Sequence, residues 1–518
     1  MVQSTTPPLA MEPVRLLPKE IWAQVVDTYP VTQFRSLMLV NRMFYEIVYR
    51  KLWENLTLCS MDIARQEKVK EILKKPELGS RVTHVSIQHY PLGKHTNYSE
   101  GRCRETYSRP EAFALFNWDK PGQSVRRILL TPRKTVETAI KVVPRLPNVR
   151  SLTINLLPVS LVRHANLHHS LWSTFTSNKI VQLTIKIHIP QIETIASFIE
   201  SAPSVLGHLV ELVICLTGTE ISSEVLQRSL HAIINPARQT IQSVIVSSTN
   251  QLDPEAIIQG IGQIQNLTRL QLNLSALMIH KLEDADLLTR FLKQHKSTLK
   301  HLSFKSLPYE SLERRWFAPG LSPVYCPPLK SISLRIERVA NDQNSFSFPV
   351  PHLASFSGSL TTLLLDLGSH FLSFEDTRKL VKSLYRVPGG ALLRELKIAI
   401  QPLKAEFFDV FADDLENLEV LDLTYALSPE GPDDVEGRVA LFREISQRNY
   451  VSSKLRHLNV WVSTRNQVTL DWEKELDMEL MKRLRRCMPM IYEFGRLDWS
   501  HVEKDIPLYV STGWFLGF

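Results

Sequence analysis

Leu209-Val210-Glu211-Leu212-Val213-Ile214-Cys215-Leu216 carries the reading that decides the fold. Large apolar residues stand at 209, 212 and 214, with two residues and then one between them. The same spacing recurs at Val149/Leu152/Ile154, Ile180/Leu183/Ile185, Leu267/Leu270/Leu272, Leu299/Leu302/Phe304, Leu329/Ile332/Leu334, Leu360/Leu363/Leu365, Leu393/Leu396/Ile398, Leu418/Leu421/Leu423 and Leu455/Leu458/Val460, with Ile241/Val244/Val246 as a β-branched copy. One such triplet means little, because about one window in 27 matches by chance when a third of positions are apolar. The interval is what carries weight. Middle residues at 152, 183, 212, 244, 270, 302, 332, 363 and 396 are 31, 29, 32, 26, 32, 30, 31 and 33 apart. Accidental hits would scatter.

A period near thirty with one short strand per unit predicts a leucine-rich-repeat solenoid. The stretches between strands read as helices. Asp253-Pro254-Glu255 supplies an N-cap, a first-turn Pro and an acid. Ser373 and Asp376 have capping-box spacing, and Ile192, Ile195 and Ile199 form one apolar face, as do Val225, Leu226, Leu230 and Ile233. The turn asparagines usual after each strand are mostly absent, with Leu157, His188, Thr217, Thr249 and Ser275 in those places. The expected fold is therefore a degenerate α/β horseshoe with parallel strands on its concave face. Backwards extension gives Val125/Ile128/Leu130, Val82/Val85/Ile87 and Trp53/Leu56/Leu58, with an insertion near residues 89–121, and Phe494/Leu497/Trp499 as the last irregular unit.

The composition fits a globular chain: 518 residues, 44% hydrophobic and 22% charged. A net charge of +8 over that length is a weak argument for nucleic acid. Five scattered cysteines match neither a disulfide framework nor a zinc site, and residues 1–13 read as a disordered tail without a signal peptide. No run reaches the roughly 18 apolar residues of a membrane span. The expectation is an intracellular protein of cytoplasm or nucleus, without membrane partner or cofactor.

Residues 16–53 break the repeat. Pro18 and Glu20 open a helix carrying Ile21, Trp22, Val25 and Val26; Pro30 ends it; Phe34, Leu37, Met38 and Val40, then Phe44, Ile47, Val48 and Leu52, make two further apolar stripes. Three short helices are marginal alone and favour a docking partner or the adjacent solenoid. The ordered set Leu17-Pro18-x-Glu20-Ile21, Leu37-x-x-Val40-x-Arg42-x-Phe44 and Leu52-Trp53 resembles the F-box. The resemblance implies an F-box-like domain over 14–55, ahead of a solenoid over 56–518. It also implies a non-catalytic substrate receptor that docks a Skp-type adaptor and, through it, a cullin ubiquitin ligase. Leu17, Pro18, Ile21, Val25, Leu37 and Val40 would include the adaptor-facing residues. Asn41 departs from the Cys or Ser often found there. A plainer reading makes the three helices a cap over the first repeat.

An unknown protein substrate would lie on the strand residues between the ladder apolars, which point the other way. Candidates are Lys186, Arg269, Lys305, Arg335, Lys397, Asp422, His457 and Trp461. That surface, with Glu211, Asp366 and Glu395 included, holds five Lys or Arg and four Asp or Glu. Near neutrality favours protein recognition over phosphate tracking. The His164, His168, His169 cluster lacks carboxylate or Cys at ligand spacing, and Lys482, Arg483, Arg485 and Arg486 follow acids as a surface helix does. No phosphate loop, nucleophile elbow or metalloprotease helix is present. Rival readings are a repeat scaffold unconnected to ubiquitination and, with less support, an RNA binder.

Overall fold

The computed structural model describes residues 18–29, 33–59, 63–88, 132–156, 165–218, 221–248, 252–273, 286–308, 328–337, 358–366, 371–385, 392–401, 403–425, 435–450, 453–462, 479–480, 482–491 and 493–494. The tail 1–13, the insertion 89–121 and Leu17 lie outside them. The chain forms two compact units, Met1–Ile180 and Val181–Phe518.

The first unit opens with three helices, α1 (Lys19–Thr28), α2 (Phe34–Met38) and α3 (Arg42–Glu54). Their apolar stripes meet as expected: Val26, Phe34, Ile47 and Val48 are buried, with Trp22, Leu37, Met38, Phe44 and Leu52 packed against them. Trp22 meets Phe44 edge-on at 5.1 Å, the arrangement ring quadrupoles favour. Asn41 has a local purpose. Its side chain accepts from the Phe44 N–H at 2.9 Å and so caps α3.

Without a break, α3 gives way to strand β1 (Asn55–Cys59). Trp53 is therefore the last turn of a helix and not a strand residue, while Leu56 and Leu58 point inward as expected. Helix α4 (Ile63–Lys74) follows and presents Lys68 to the junction. The buried Lys68 ammonium donates to the carbonyls of Leu52 and Asn55 and lies 5.3 Å from the Trp53 ring. The last carbonyls of a helix lack intrahelical donors, so this cation satisfies groups that would otherwise be buried unpaired. Tyr45, Tyr49 and Trp53 stand one helical turn apart, and Arg81 covers Tyr49 at 5.2 Å. Thus α3 buries one stripe in the head and another against the first repeat.

Strand β2 (His84–Gln88) pairs in parallel with β1 and with β3 (Ser151–Leu156). Val85 stands directly opposite Leu152. A repeat strand centred on Ile128 is therefore not inserted between them, which corrects that part of the sequence count. Val125, Ile128 and Leu130 themselves lie outside the described residues.

The second unit alternates strand and helix. Its strands are β4 (Gln182–His188), β5 (Glu211–Thr217), β6 (Ser243–Ser248), β7 (Arg269–Asn273), β8 (His301–Pro308), β9 (Ser331–Glu337), β10 (Thr362–Asp366), β11 (Glu395–Ile400), β12 (Val420–Tyr425), β13 (His457–Val462) and β14 (Glu493–Phe494). Each pairs in parallel with the next. The middle ladder residues form one line: Leu183, Leu212, Val244, Leu270, Leu302, Ile332, Leu363, Leu396, Leu421 and Leu458. All are buried. Phe494 extends this line opposite Leu458, so it is a middle residue and not the first of its triplet. The preceding Ile491 supplies the first position and is buried.

Between strands run the expected helices. Pro254–Ile261 is capped by Asp253, which accepts from the Glu255 N–H at 2.9 Å. Ser373 accepts from the Asp376 N–H at 3.1 Å and donates to its carboxylate at 2.7 Å. Helices Ile192–Ser201 and Ser223–Ile234 bury Ile192, Ile195 and Ile199, and Leu226, Leu230 and Ile233. An α/β solenoid-like layout of parallel strands and interspersed helices results. Each buried large aliphatic contributes about 1.5–3 kcal/mol only because its neighbours stack on it.

Polar side chains do ladder, but before the strands. In the first unit Asn148 Nδ2 donates to the Ser80 carbonyl and Asn178 Nδ2 to that of Leu146, each at 2.6 Å. In the second, Asn266 Nδ2 reaches the Gln239 carbonyl at 2.7 Å and Ser359 Oγ that of Leu329 at 2.9 Å. Each satisfies a carbonyl of the preceding turn that no strand reaches.

Candidate functional site

Strand alternation puts two populations on opposite faces of each strand. In β4 and β5 every second residue is buried and those between remain accessible. Across the second unit the middle row of this face runs Thr184, Val213, Ile245, Gln271, Ser303, Ser333, Leu364, Lys397, Asp422 and Asn459, of which Gln271 and Asp422 are buried and the rest half-buried. This row carries side chains but no backbone donors, since those are used in the ladder.

The expected binding residues are distributed along this face and not gathered in one place. Lys186 is half-buried on β4, and His457 is half-buried on β13. Arg335 on β9 stands opposite Asp366 on β10 and pairs with it at 3.5 Å. Lys397 stands opposite Asp422 and pairs with it at 3.1 Å. Asp422 was expected among accessible residues; it is only 9% exposed. Its Oδ2 takes the Lys397 ammonium, while Oδ1 is buried without a hydrogen-bond partner among the described residues. A paired carboxylate between strands is held by its neighbours and reads first as sheet structure. Lys305 and Trp461 lie on β8 and β13 by their backbones, and their side chains are outside the described residues.

Arg269 is brought together with residues the sequence reading did not weigh. It stands on β7 directly opposite His301 on β8, and both are exposed. Lys300 and Lys330, the residues just before β8 and β9, are exposed as well and adjacent, the Lys330 N–H donating to the Lys300 carbonyl at 2.7 Å. The Arg269 guanidinium donates to Gln271 Oε1 at 3.1 Å, and Gln271 Nε2 to Asn273 Oδ1 at 3.2 Å. Partial burial, then the charges of Arg269, Lys330 and Lys300, lower the pKa of His301. Pre-strand positions were the missed signal, because alternation was followed only inside the triplets. Also unweighed were Val213, Ile245 and Leu364, apolar residues that are half-buried on the accessible face.

In the head, Pro18 is exposed and its carbonyl accepts from the Ile21 N–H at 3.0 Å. Ile21 is 39% exposed, Val40 61%, and Leu39, which the motif did not single out, 81%. Val25 is half-buried, and Leu37 packs against the head's own core.

Two buried polar networks lie elsewhere. His295 receives the Ile264 N–H on Nε2 at 3.0 Å and contacts the Phe291 carbonyl through Nδ1 at 2.9 Å, so a neutral ring protonated on Nδ1 satisfies both. Burial lowers its pKa. Asp409 accepts from Arg448 Nε at 2.8 Å and 3.0 Å and from the Tyr450 hydroxyl. Burial, then the Asp409 hydrogen bond and charge, push that hydroxyl far above its ordinary range. Both networks tie consecutive repeats and leave no reactive group facing outward. Arg483 of the basic run pairs with Glu479 at 2.8 Å and covers Phe442 at 5.2 Å, so it packs. Among the described residues no cluster of three metal-ligating side chains occurs, and no helix is long and apolar enough to cross a membrane. His164 lies outside them, and His168 is buried.

No protein-family model matches the chain, and no curated protein matches it.

Proposed function

We propose that this chain is a non-catalytic substrate receptor of a Skp–cullin–F-box ubiquitin ligase, with a leucine-rich-repeat sheet that holds the client. One observation carries the adaptor half. The head closes its core with Val26, Phe34, Ile47 and Val48 yet leaves Ile21 on α1, and Leu39 and Val40 at the α2–α3 turn, exposed. Exposed large aliphatics in so small a domain are a docking surface's usual content. Ile21 and Val40 belong to the ordered set, with its Leu-Pro, Val-x-Arg and Leu-Trp pairs, that carries the F-box resemblance. The client half is supported by a ten-strand parallel ladder whose outward row is half-buried on every strand but β7 and β12.

Co-purification with a Skp-type adaptor tests the reading. Wild-type chain should retain the adaptor, and Leu17→Ala with Pro18→Ala should lose it while circular dichroism stays the same. Intact chain that never retains adaptor refutes the role. The junction built on Lys68 favours a second reading, in which the head is a cap on the first repeat and the chain is a scaffold unconnected to ubiquitination. Client abundance that does not respond to deletion of residues 1–41 would select it.

A further inference from the structure

Three strands of the second unit bring four basic side chains together. Arg269 on β7 stands opposite His301 on β8, and Lys300 and Lys330, the residues just before β8 and β9, adjoin that pair, the Lys330 N–H donating to the Lys300 carbonyl. Neighbouring strands are about 4.8 Å apart, so the group spans roughly 10 Å. Like charges directly opposite one another across strands are unfavourable. Elsewhere on this face the cations have acids: Arg335 has Asp366, and Lys397 has Asp422. Among the described residues no carboxylate lies within ion-pair distance of Arg269, Lys300 or Lys330. The Arg269 guanidinium donates to the neutral Gln271. Val213 on β5 and Ile245 on β6 stand opposite each other in the neighbouring row, that of Gln271 and Ser303.

We infer that β5–β9 is a recognition surface for an acidic protein segment, whose carboxylates lie over Arg269, Lys300, His301 and Lys330 while an aliphatic side chain rests on Val213 and Ile245. The width decides against nucleic acid. A phosphate backbone needs a stripe of cations over many repeats, and here the charge stops at β9, where Asp366 on β10 neutralises the next arginine. Carboxylates brought to this group replace repulsion with attraction, and they favour the imidazolium form of His301. The groups facing that ring are Arg269 from β7 and Lys330 from β9, with Lys300 on its own strand. Bound carboxylate therefore raises the proton affinity of the His301 ring, and affinity for the acidic segment rises as pH falls. The inference names a client chemistry for the sheet face and is independent of adaptor docking.

Fluorescence anisotropy with the intact chain tests it, using a labelled peptide of consecutive glutamates followed by leucines. The glutamate peptide should bind at least about tenfold more tightly than the same peptide with glutamines, and weaken steeply between 50 and 200 mM salt. Lys300→Gln with Lys330→Gln should cost about tenfold, whereas Lys379→Gln, on the exposed side of helix Phe374–Tyr385, should cost nothing. Both lysines of the double variant are exposed, so its melting temperature should match wild type. Equal binding of the two peptides, an equal loss with Lys379→Gln, or tighter binding of a single-stranded RNA than of the glutamate peptide would each overturn the inference. His301→Asn should remove the gain in affinity at low pH; a gain that persists also counts against it. Adaptor co-purification is read separately, so either result leaves the other interpretable.

Discussion

The three-helix head and the strand ladder spend their apolar residues in opposite ways. The head closes on four buried side chains and leaves Ile21, Leu39 and Val40 outside. The ladder buries its whole line from Leu183 to Leu458 and exposes mostly polar rungs. A small helical group has too little interior to hide every aliphatic, and the surplus becomes surface. A stack hides each unit's surplus against its neighbour. The difference teaches that substitutions in the two regions should separate stability from binding.

Leu396→Ala should widen that contrast most. It empties the centre of the ladder, where Leu396 stands between Leu363 and Leu421, and should cost about 3 kcal/mol in urea unfolding. Adaptor capture should be unchanged. Lys68→Met comes next. Removing the ammonium strands the Leu52 and Asn55 carbonyls at a cost of about 2 kcal/mol, seen as faster hydrogen exchange in α3. Little effect there would mean that the junction is held by aromatic packing alone. Asn41→Ala, which removes the α3 cap, should cost about 1 kcal/mol and lower the melting temperature of the first unit.

At pH 7 the smallest effect belongs to His295. Burial depresses its pKa in the folded chain, so the unfolded chain binds the proton more readily. Its contribution is present above the unfolded value near 6.5 and is lost as pH falls below it toward the folded value. Chemical unfolding at pH 7.5 and pH 5.5 should show the decline, and His295→Gln should flatten it. In the head, Leu39→Ala should leave stability within about 0.5 kcal/mol of wild type, because Leu39 is exposed, while reducing adaptor retention.

Much of the ladder could be read from residue order because burial on one face forces alternation, and stacking forces a constant interval. Leu212, Leu270 and Leu363 fall in register as that logic requires. It misled where an aromatic stood one place along, at Phe494, and in counting a rung at Ile128 between β2 and β3, which pair directly. The face residues were less legible. Alternation says which way a side chain points but not whether a neighbour has claimed it, so Asp422 looked available until Lys397 was found beside it. Lys300 and Lys330 escaped notice because they precede their strands, where no period predicts a direction. Asn148 and Asn266 were overlooked for a related reason, since the search for turn asparagines began after the strand.

The direct pairing of Val85 with Leu152 has an engineering consequence. Residues 89–150 connect two rungs that already touch, so the length of that connection is decoupled from the geometry of the stack. Foreign sequence spliced into it ahead of helix Pro132–Val142, which buries Val136, Ala139 and Val142, should leave the rungs above and below undisturbed, which makes that stretch the natural place for a reporter on this chain.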